Sequence, residues 1–370
     1  MTRAAVLVQP QEALQLWDGI EVAPPRHGEI RVRIEASGLC HSDYSVMTGK
    51  LPTALLPMVL GHEGAGIVVD VGPHVTGIVE GDHVVMSFKA MCGSCFYCRN
   101  GQLYLCEKDS AQRLAGTMPD GTTRLRRGHD DIRQLCQVGS LCDEVVVPAA
   151  SAVRLPDHVP FAVAAPLGCG VMTGVGAALN TACLTPGATV AVIGCGGVGL
   201  SAMQGARIAG ASRIIAIDTV QSKLDISTRF GATDTINGAT TSVVDVVREM
   251  TKGRGVDAAF EAVGLATTIG QAIEMVRPGG EAVLVGLPGS DVNLSVHALG
   301  LITTGKSLKG SLYGSCHFSR DVCRILDLYE GGRIDLDGLI SQKIALEDVN
   351  EAFESMVRGE VVRSVVVHQH

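Results

Sequence analysis

Aromatic residues are scarce in this 370-residue chain, at 4% of positions, while glycine is abundant at 45 residues. With 46% hydrophobic residues, that balance excludes a disordered chain and describes a globular α/β protein built with many tight turns. An excess of positive charge is also missing. Against 38 acidic side chains stand 30 basic ones, a formal charge of −8, so the basic footprint that phosphate backbones require is absent and no nucleic-acid partner is expected. A secretory leader pattern is lacking too, because Gln9, Pro10, Gln11 and Glu12 interrupt the first apolar run. The one stretch that tempts a membrane reading, Ala188 to Met203, is short and carries Gly194, Gly196, Gly197 and Gly199 at its middle. It reads as a buried strand followed by a helix. No membrane association is expected, and the expected location is the cytoplasm. There, the 12 cysteines are more apt to hold metal than to form disulfides.

The length calls for two domains. From Ala4 to about Val85 the chain runs as short β-rich segments; Glu29 to Ala36 alternates polar and apolar residues as a half-buried strand does. A mostly antiparallel, barrel-like unit is expected. Between two of its strands lies Gly38-Leu39-Cys40-His41-Ser42-Asp43, which on its own fits a buried free cysteine beside a polar turn as well as it fits a metal ligand. Leu60-Gly61-His62-Glu63-Gly64 is similarly open between a metal-binding pair and a polar turn. Cys92, Cys95 and Cys98, followed after seven residues by Cys106, are more specific. Two-residue gaps and a short closing loop bring four thiolates to the corners of one tetrahedron, as a closed structural Zn²⁺ site requires; an iron–sulfur cluster is the alternative, with different known spacings. From Asp109 to Gln137 the sequence is polar and turn-rich, and Arg124, Arg126 and Arg127 form a local basic patch in a functional loop or a solvated excursion.

Beyond Leu155 the pattern changes. Ala188 to Ile193 is a buried strand, Gly194-Cys195-Gly196-Gly197-Val198-Gly199 a glycine turn, Leu200 to Ala209 a helix, and Arg213 to Ile217 a second strand that ends in Asp218, 19 residues after Gly199. This strand, turn, helix, strand and acid sequence is the context in which such glycines bind a dinucleotide. They provide a tight turn, room for a pyrophosphate and close helix–strand packing, while the helix N-terminus offers unpaired N–H groups. Asp218 suits ribose hydroxyls and repels a 2′-phosphate, which favours NAD over NADP. Further β/α units, with strands at Asp257 to Ala262 and Glu281 to Gly286, extend a doubly wound sheet to about Tyr313. A helix near Asp348 to Arg358 and a strand at Val361 to Val367 return to the first domain, which is therefore discontinuous. The expected division is 1–165 with 314–370, including a cysteine lobe at about 90–108, against 166–313.

Taken together, these motifs resemble the zinc-dependent medium-chain alcohol dehydrogenases over nearly the whole chain. The resemblance implies a GroES-like, mostly antiparallel β-barrel catalytic domain joined to a parallel-sheet Rossmann domain. It implies a catalytic zinc on Cys40, His62 and Cys169, and a structural zinc on Cys92, Cys95, Cys98 and Cys106. Asp43 would hold the far side of the His62 ring, Glu63 would lie behind the metal, and Ser42 would take the alcohol proton. His41 and Arg363 would meet the cofactor pyrophosphate, and Lys223 the adenosine ribose. Phe88, Leu141, Leu287 and Leu312 would line an apolar pocket for medium-chain, allylic or aromatic alcohols. The implied cofactors are NAD and two Zn²⁺ per chain, and the implied assembly is a homodimer or homotetramer built through the nucleotide domain. Two positions depart from the family: Ser45 stands where a relay histidine is common. Ser110 stands where the glutathione-dependent branch, which acts on a thiol adduct of formaldehyde, carries an arginine. The alternatives are that thiol-adduct chemistry and a non-catalytic zinc or redox protein using the remaining thiols Cys136, Cys142, Cys183, Cys316 and Cys323, read most simply as buried apolar residues.

Overall fold

The computed structural model describes residues 2–51, 55–108 and 110–370. Asp109, where the polar segment was expected to begin, lies outside the described residues. The chain divides into two compact units, 1–169 with 317–323 and 336–370, and 170–316 with 324–335. Residues 324–335 thus belong to the second unit rather than the first, because the helix Phe318–Glu330 begins with one unit and ends with the other.

In the first unit, strands Thr2–Leu7, Gln15–Val22, Leu125–Arg127, Asp130–Gln134 and Met58–Val59 close into a barrel. The polar segment read from sequence as a functional loop or a solvated excursion supplies two of these strands. Its sparse apolar residues suffice because Leu125 and Ile132 both point into the core, while the charged neighbours face out. Arg124 does not join Arg126 and Arg127 in a patch. It is fully buried, donating to Glu29 at 2.8 and 2.6 Å and to Asp120 at 2.8 Å, whereas Arg126 faces Asp131 and Arg127 lies 4.8 Å over the Trp17 ring. Charge alone could not separate them; only the chain path encloses Arg124 between two carboxylates.

A second sheet of this unit runs Ala152–Arg154, His83–Met86, Glu63–Val71, Glu29–Gly38, Ser364–Val367, Gln342–Ile344, with Glu144–Pro148 also paired to Glu29–Gly38. The C-terminal strand, shorter than the 361–367 expected, lies antiparallel to Glu29–Gly38 with Val365 opposite Gly38. That pairing brings the last residues of the chain beside Glu63, whose strand flanks Glu29–Gly38 on the other side.

The second unit is a six-stranded parallel sheet in the order Asp234–Asn237, Arg213–Asp218, Thr189–Ile193, Val256–Glu261, Val276–Leu284, Ser307–Gly310. Helices Gly197–Ile208, Gln221–Ser227, Val243–Met250 and Ala266–Met275 connect it, and an apolar layer including Ile193, Ile215, Val247 and Met275 is sealed between sheet and helices. Pro278-Gly279-Gly280 lies inside Val276–Leu284 as an irregularity in its pairing with Val256–Glu261. Among the described residues no single helix is long and apolar enough to cross a membrane.

Candidate metal centres and nucleotide turn

Cys40 lies two residues after strand Glu29–Gly38 and caps the helix His41–Met47, so its thiol is fixed where extended backbone becomes helical. Asp43, fully buried in the first turn, ties that turn to the next strand. Its Oδ2 accepts from the Cys40 N–H at 3.2 Å, and its Oδ1 accepts from the Gly61 N–H at 3.0 Å and pairs with His62 Nδ1 at 3.0 Å. A neutral ring that donates Nδ1–H to a carboxylate presents the bare Nε2 lone pair on its opposite side, as a metal ligand must. Cys169 follows the short helical segment Ala165–Gly168. Cys40, His62, Cys169 and also Glu63 bring one ligand atom each within 4.8 Å of one another.

The electrostatics of this cluster describe a place for a cation. The Cys40 thiol is held well below its ordinary value by a hydrogen bond from Cys169, helped by His62 and Arg363, while the same bond and burial hold Cys169 well above it. Burial opposes a charged His62, but Asp43 and Cys169 together hold its proton affinity well above the ordinary value. Burial also pushes Glu63 up to about 7 although Arg363 pulls it down. Two thiols and an imidazole competing for too few protons in a dry site are the donor set that Zn²⁺ satisfies, and the residues present fit that ion. Glu63 is ion-paired with Arg363, and a side chain at Gly38 would collide with the Glu63 carboxylate, which explains glycine at the end of that strand.

The second cluster is local. Cys92, Cys95, Cys98 and Cys106 also converge within 4.8 Å, with Sγ–Sγ distances of 4.0 Å for Cys92–Cys98 and Cys95–Cys106. Cys92 Sγ accepts from the Ser94 and Cys95 N–H groups at 3.4 and 3.3 Å. Despite some burial, these donors draw Cys92 down to about 6, whereas burial pushes Cys98 up to about 12. Four sulfurs, with no other donor in the group among the described residues, fit a closed zinc site.

In the second unit, the glycine turn sits between Thr189–Ile193 and Gly197–Ile208 as its spacing predicts. A Cβ on Gly199 would meet the Gly194 carbonyl oxygen, so the close packing of helix on strand requires glycine there. Asp218 accepts from the Cys195 N–H at 2.7 Å and the Val220 N–H at 3.0 Å, which fixes its carboxylate at the strand end beside the turn.

The remaining expected site residues are placed unevenly. Ser42 Oγ lies 3.7 Å from Cys40 Sγ, and the Phe88 ring meets His62 edge to face at 5.9 Å. His41 is exposed and Lys223 half-buried. Leu141 is packed into the barrel core with no exposed surface and does not line an open pocket; its strand-side position beside Gly61 is what the core needs filled. Leu287 and Leu312 are exposed residues of the second unit. Of the other thiols, Cys142 and Cys316 are buried as expected, but Cys183 and Cys323 are exposed and Cys136 is half-buried, because each of those three sits in a loop or on the outer face of a helix. One buried group beside the glycine turn was not singled out by sequence: Glu261. An acid closing the buried apolar run Ala258-Ala259-Phe260 is the signal that could have found it.

Comparison with known proteins agrees with these centres. Residues 26–157 match the alcohol dehydrogenase GroES-like domain, and residues 197–330 match the zinc-binding dehydrogenase family. The chain is 38% identical to proteins of Escherichia coli and Shigella sonnei called S-(hydroxymethyl)glutathione dehydrogenase, over 368 residues and 99% of either chain. Among solved structures it resembles an alcohol dehydrogenase zinc-binding domain protein from Burkholderia ambifaria (34% identity, TM-score 0.94, covering 100% of this chain and 99% of that one). It also resembles the benzyl alcohol dehydrogenase of Acinetobacter calcoaceticus (30% identity, TM-score 0.94, the same coverage). Two zinc-competent clusters, a GroES-like barrel and a parallel nucleotide-type sheet therefore belong together: the chain is an oxidoreductase of the zinc-dependent medium-chain alcohol dehydrogenase family.

Proposed function

We propose that this enzyme transfers a hydride reversibly between a primary alcohol, medium-chain, allylic or aromatic, and NAD, giving the aldehyde. The observation that carries the reading is the buried Cys40–His62–Cys169 set, whose three strong ligands leave a further coordination position for an alcohol oxygen. Zinc held there supplies the Lewis acidity that lets an alcohol lose its proton near neutral pH. Cys40 and Cys169 contribute two negative charges that balance the ion. Asp43 fixes the His62 tautomer through Nδ1, Ser42 Oγ beside Cys40 takes the alcohol proton, and Glu63 with Arg363 forms the polar wall behind the ligands. Phe88, edge-on to His62, keeps water from that side of the ring.

NAD is assigned to the glycine turn and Asp218, with Lys223 toward the ribose. The aromatic substrate class is supported by likeness to the benzyl alcohol dehydrogenase, and Ser110 in place of a cation favours it over a thiol adduct. The adduct is kept as a second reading because the relatives at 38% identity bear that activity in their names. An assembly of two or four chains in the cytoplasm completes the proposal. Strand Ser307–Gly310 is exposed at all four positions at the sheet edge, and the nearby helix Ala298–Thr304 exposes Leu299 and Ile302, so a second copy could extend the sheet.

The test is NADH formation from benzyl alcohol, an aliphatic alcohol series, and formaldehyde with and without glutathione. Turnover confined to the glutathione adduct would replace the first reading by the second. In the same assay Asp218→Ala should shift the NAD-to-NADP preference by about tenfold, since a charge no longer repels the 2′-phosphate. Unchanged preference would remove Asp218 from the cofactor assignment.

A further inference from the structure

Strand order in the second unit reverses between Thr189–Ile193 and Val256–Glu261: from the first the chain continues to Arg213–Asp218 on one side, and from the second to Val276–Leu284 on the other. In open parallel sheets the crevice at the carboxyl ends of two such strands is where ligands bind. Its two lips here are the glycine turn after Ile193 and the loop after Glu261, and Ile193 and Glu261 are direct partners across the sheet. The lips are close: a Cβ on Gly194 would stand 2.8 Å from Val263 Cγ2.

Glu261 lies at the floor of this crevice and is fully buried. Its Oε1 gathers the loop, accepting from the Val263 N–H at 2.9 Å, the Gly264 N–H at 2.8 Å and the Thr268 hydroxyl at 2.8 Å. The backbone carbonyl of the same residue accepts from the Val285 and Gly286 N–H groups at 2.8 Å each, so one residue pins the loops that follow two adjacent strands. Its other carboxylate oxygen, Oε2, is buried with no hydrogen-bond partner among the described residues. The donors to this side chain thus all fall on one oxygen, and among the described residues no cation shares the charge. A buried, half-used carboxylate is expensive to keep, and an apolar residue would fill the same strand end without that cost.

We propose that Glu261 is a positioning and specificity residue of the cofactor site: Oε1 sets the loop that forms one lip of the crevice, and the unshared charge on Oε2 favours the oxidised, positively charged nicotinamide over the neutral reduced form. This inference rests on the NAD reading above. Its physical basis is that a negative charge in a low-dielectric floor attracts a cation from the crevice and is indifferent to a neutral ring. The enzyme would accordingly hold NAD more tightly, relative to NADH, than the turn alone would allow.

The test is direct binding, independent of turnover. NADH affinity is read by its fluorescence on titration into the zinc-loaded protein, and NAD affinity by competition, for the wild type, Glu261→Gln and Glu261→Asp. Glu261→Gln keeps the shape and an acceptor for the loop but removes the charge, so NAD should weaken by about tenfold while NADH changes by less than about twofold. Glu261→Asp keeps the charge on a shorter arm, so both forms should weaken together with their ratio near that of the wild type. Equal losses for NAD and NADH in Glu261→Gln, or no loss in either, would overturn the proposal, as would an Asp variant whose ratio shifts as far as that of Gln. Should Glu261→Gln fail to fold, the Asp ratio and Thr268→Val, which loosens the loop without touching the charge and should leave the ratio unchanged, still decide the matter. Failure of the wild type to bind either nucleotide would instead remove the NAD reading on which the proposal stands.

Discussion

The two metal clusters of the first unit differ in every respect except their compactness. Cys92, Cys95, Cys98 and Cys106 come from one short loop, are all sulfur, and are steadied by backbone N–H groups of that loop. Cys40, His62, Cys169 and Glu63 come from a helix cap, the start of a strand and a distant helical segment, mix three kinds of donor, and are steadied by buried side chains, Asp43 and Arg363. A local loop can close around an ion whatever the rest of the barrel does. An assembled site must be held by the fold, and its mixed donors leave room for a reacting group.

Breaking the assembled cluster should give the largest effect. Cys40→Ala is expected to lower turnover by about a thousandfold or more, since several kcal/mol of charge stabilisation would go with the ion. Metal analysis should then find one zinc per chain instead of two. Two zinc ions and surviving turnover would mean that the clusters have been given the wrong roles. A milder change sharpens the comparison: Asp43→Asn leaves every ligand in place but loosens the hold on His62 Nδ1, and should cost about 10- to 100-fold in activity or zinc affinity. If the Asp43→Asn variant matched the wild type in both, the buried carboxylate would have no part in orienting the ring.

The local cluster should respond in stability rather than chemistry. Cys98→Ala is expected to release the lobe zinc and lower the melting temperature, with turnover per folded molecule within about twofold of the wild type. A large loss of turnover with an unchanged melting temperature would assign chemistry to the lobe. The difference between these outcomes, activity lost at one cluster and stability at the other, is the comparison in measurable form.

Spacing made the lobe legible, because four cysteines within one loop meet whatever the tertiary fold. It made the glycine turn legible for the same reason: strand, turn, helix and terminal acid are consecutive. The Cys40, His62 and Cys169 set was legible only through family resemblance, since nothing in the local pattern of these residues says that they converge. The barrel-closing strands were read as a functional loop or a solvated excursion because Leu125 and Ile132 are too few to mark a strand pattern amid charges. Leu141 was misplaced because an apolar residue carries no sign of whether it faces a pocket or a core.

By itself, then, the sequence determined the elements whose partners are near neighbours: the cysteine lobe, the dinucleotide-type turn with Asp218, and the alternation of β-rich and β/α segments that separates two units. Only the tertiary structure decided which oxygen of Asp43 faces His62, that Glu63 lies beside Cys40, His62 and Cys169 and pairs with Arg363 from the far end of the chain, that Arg124 is enclosed by Glu29 and Asp120, and that Glu261 lies beneath the strand-order reversal. The physical reason is common to all four. Each is a polar group buried by chain segments distant in sequence, even where some of its hydrogen-bond partners are near neighbours, and such burial is what local pattern cannot encode.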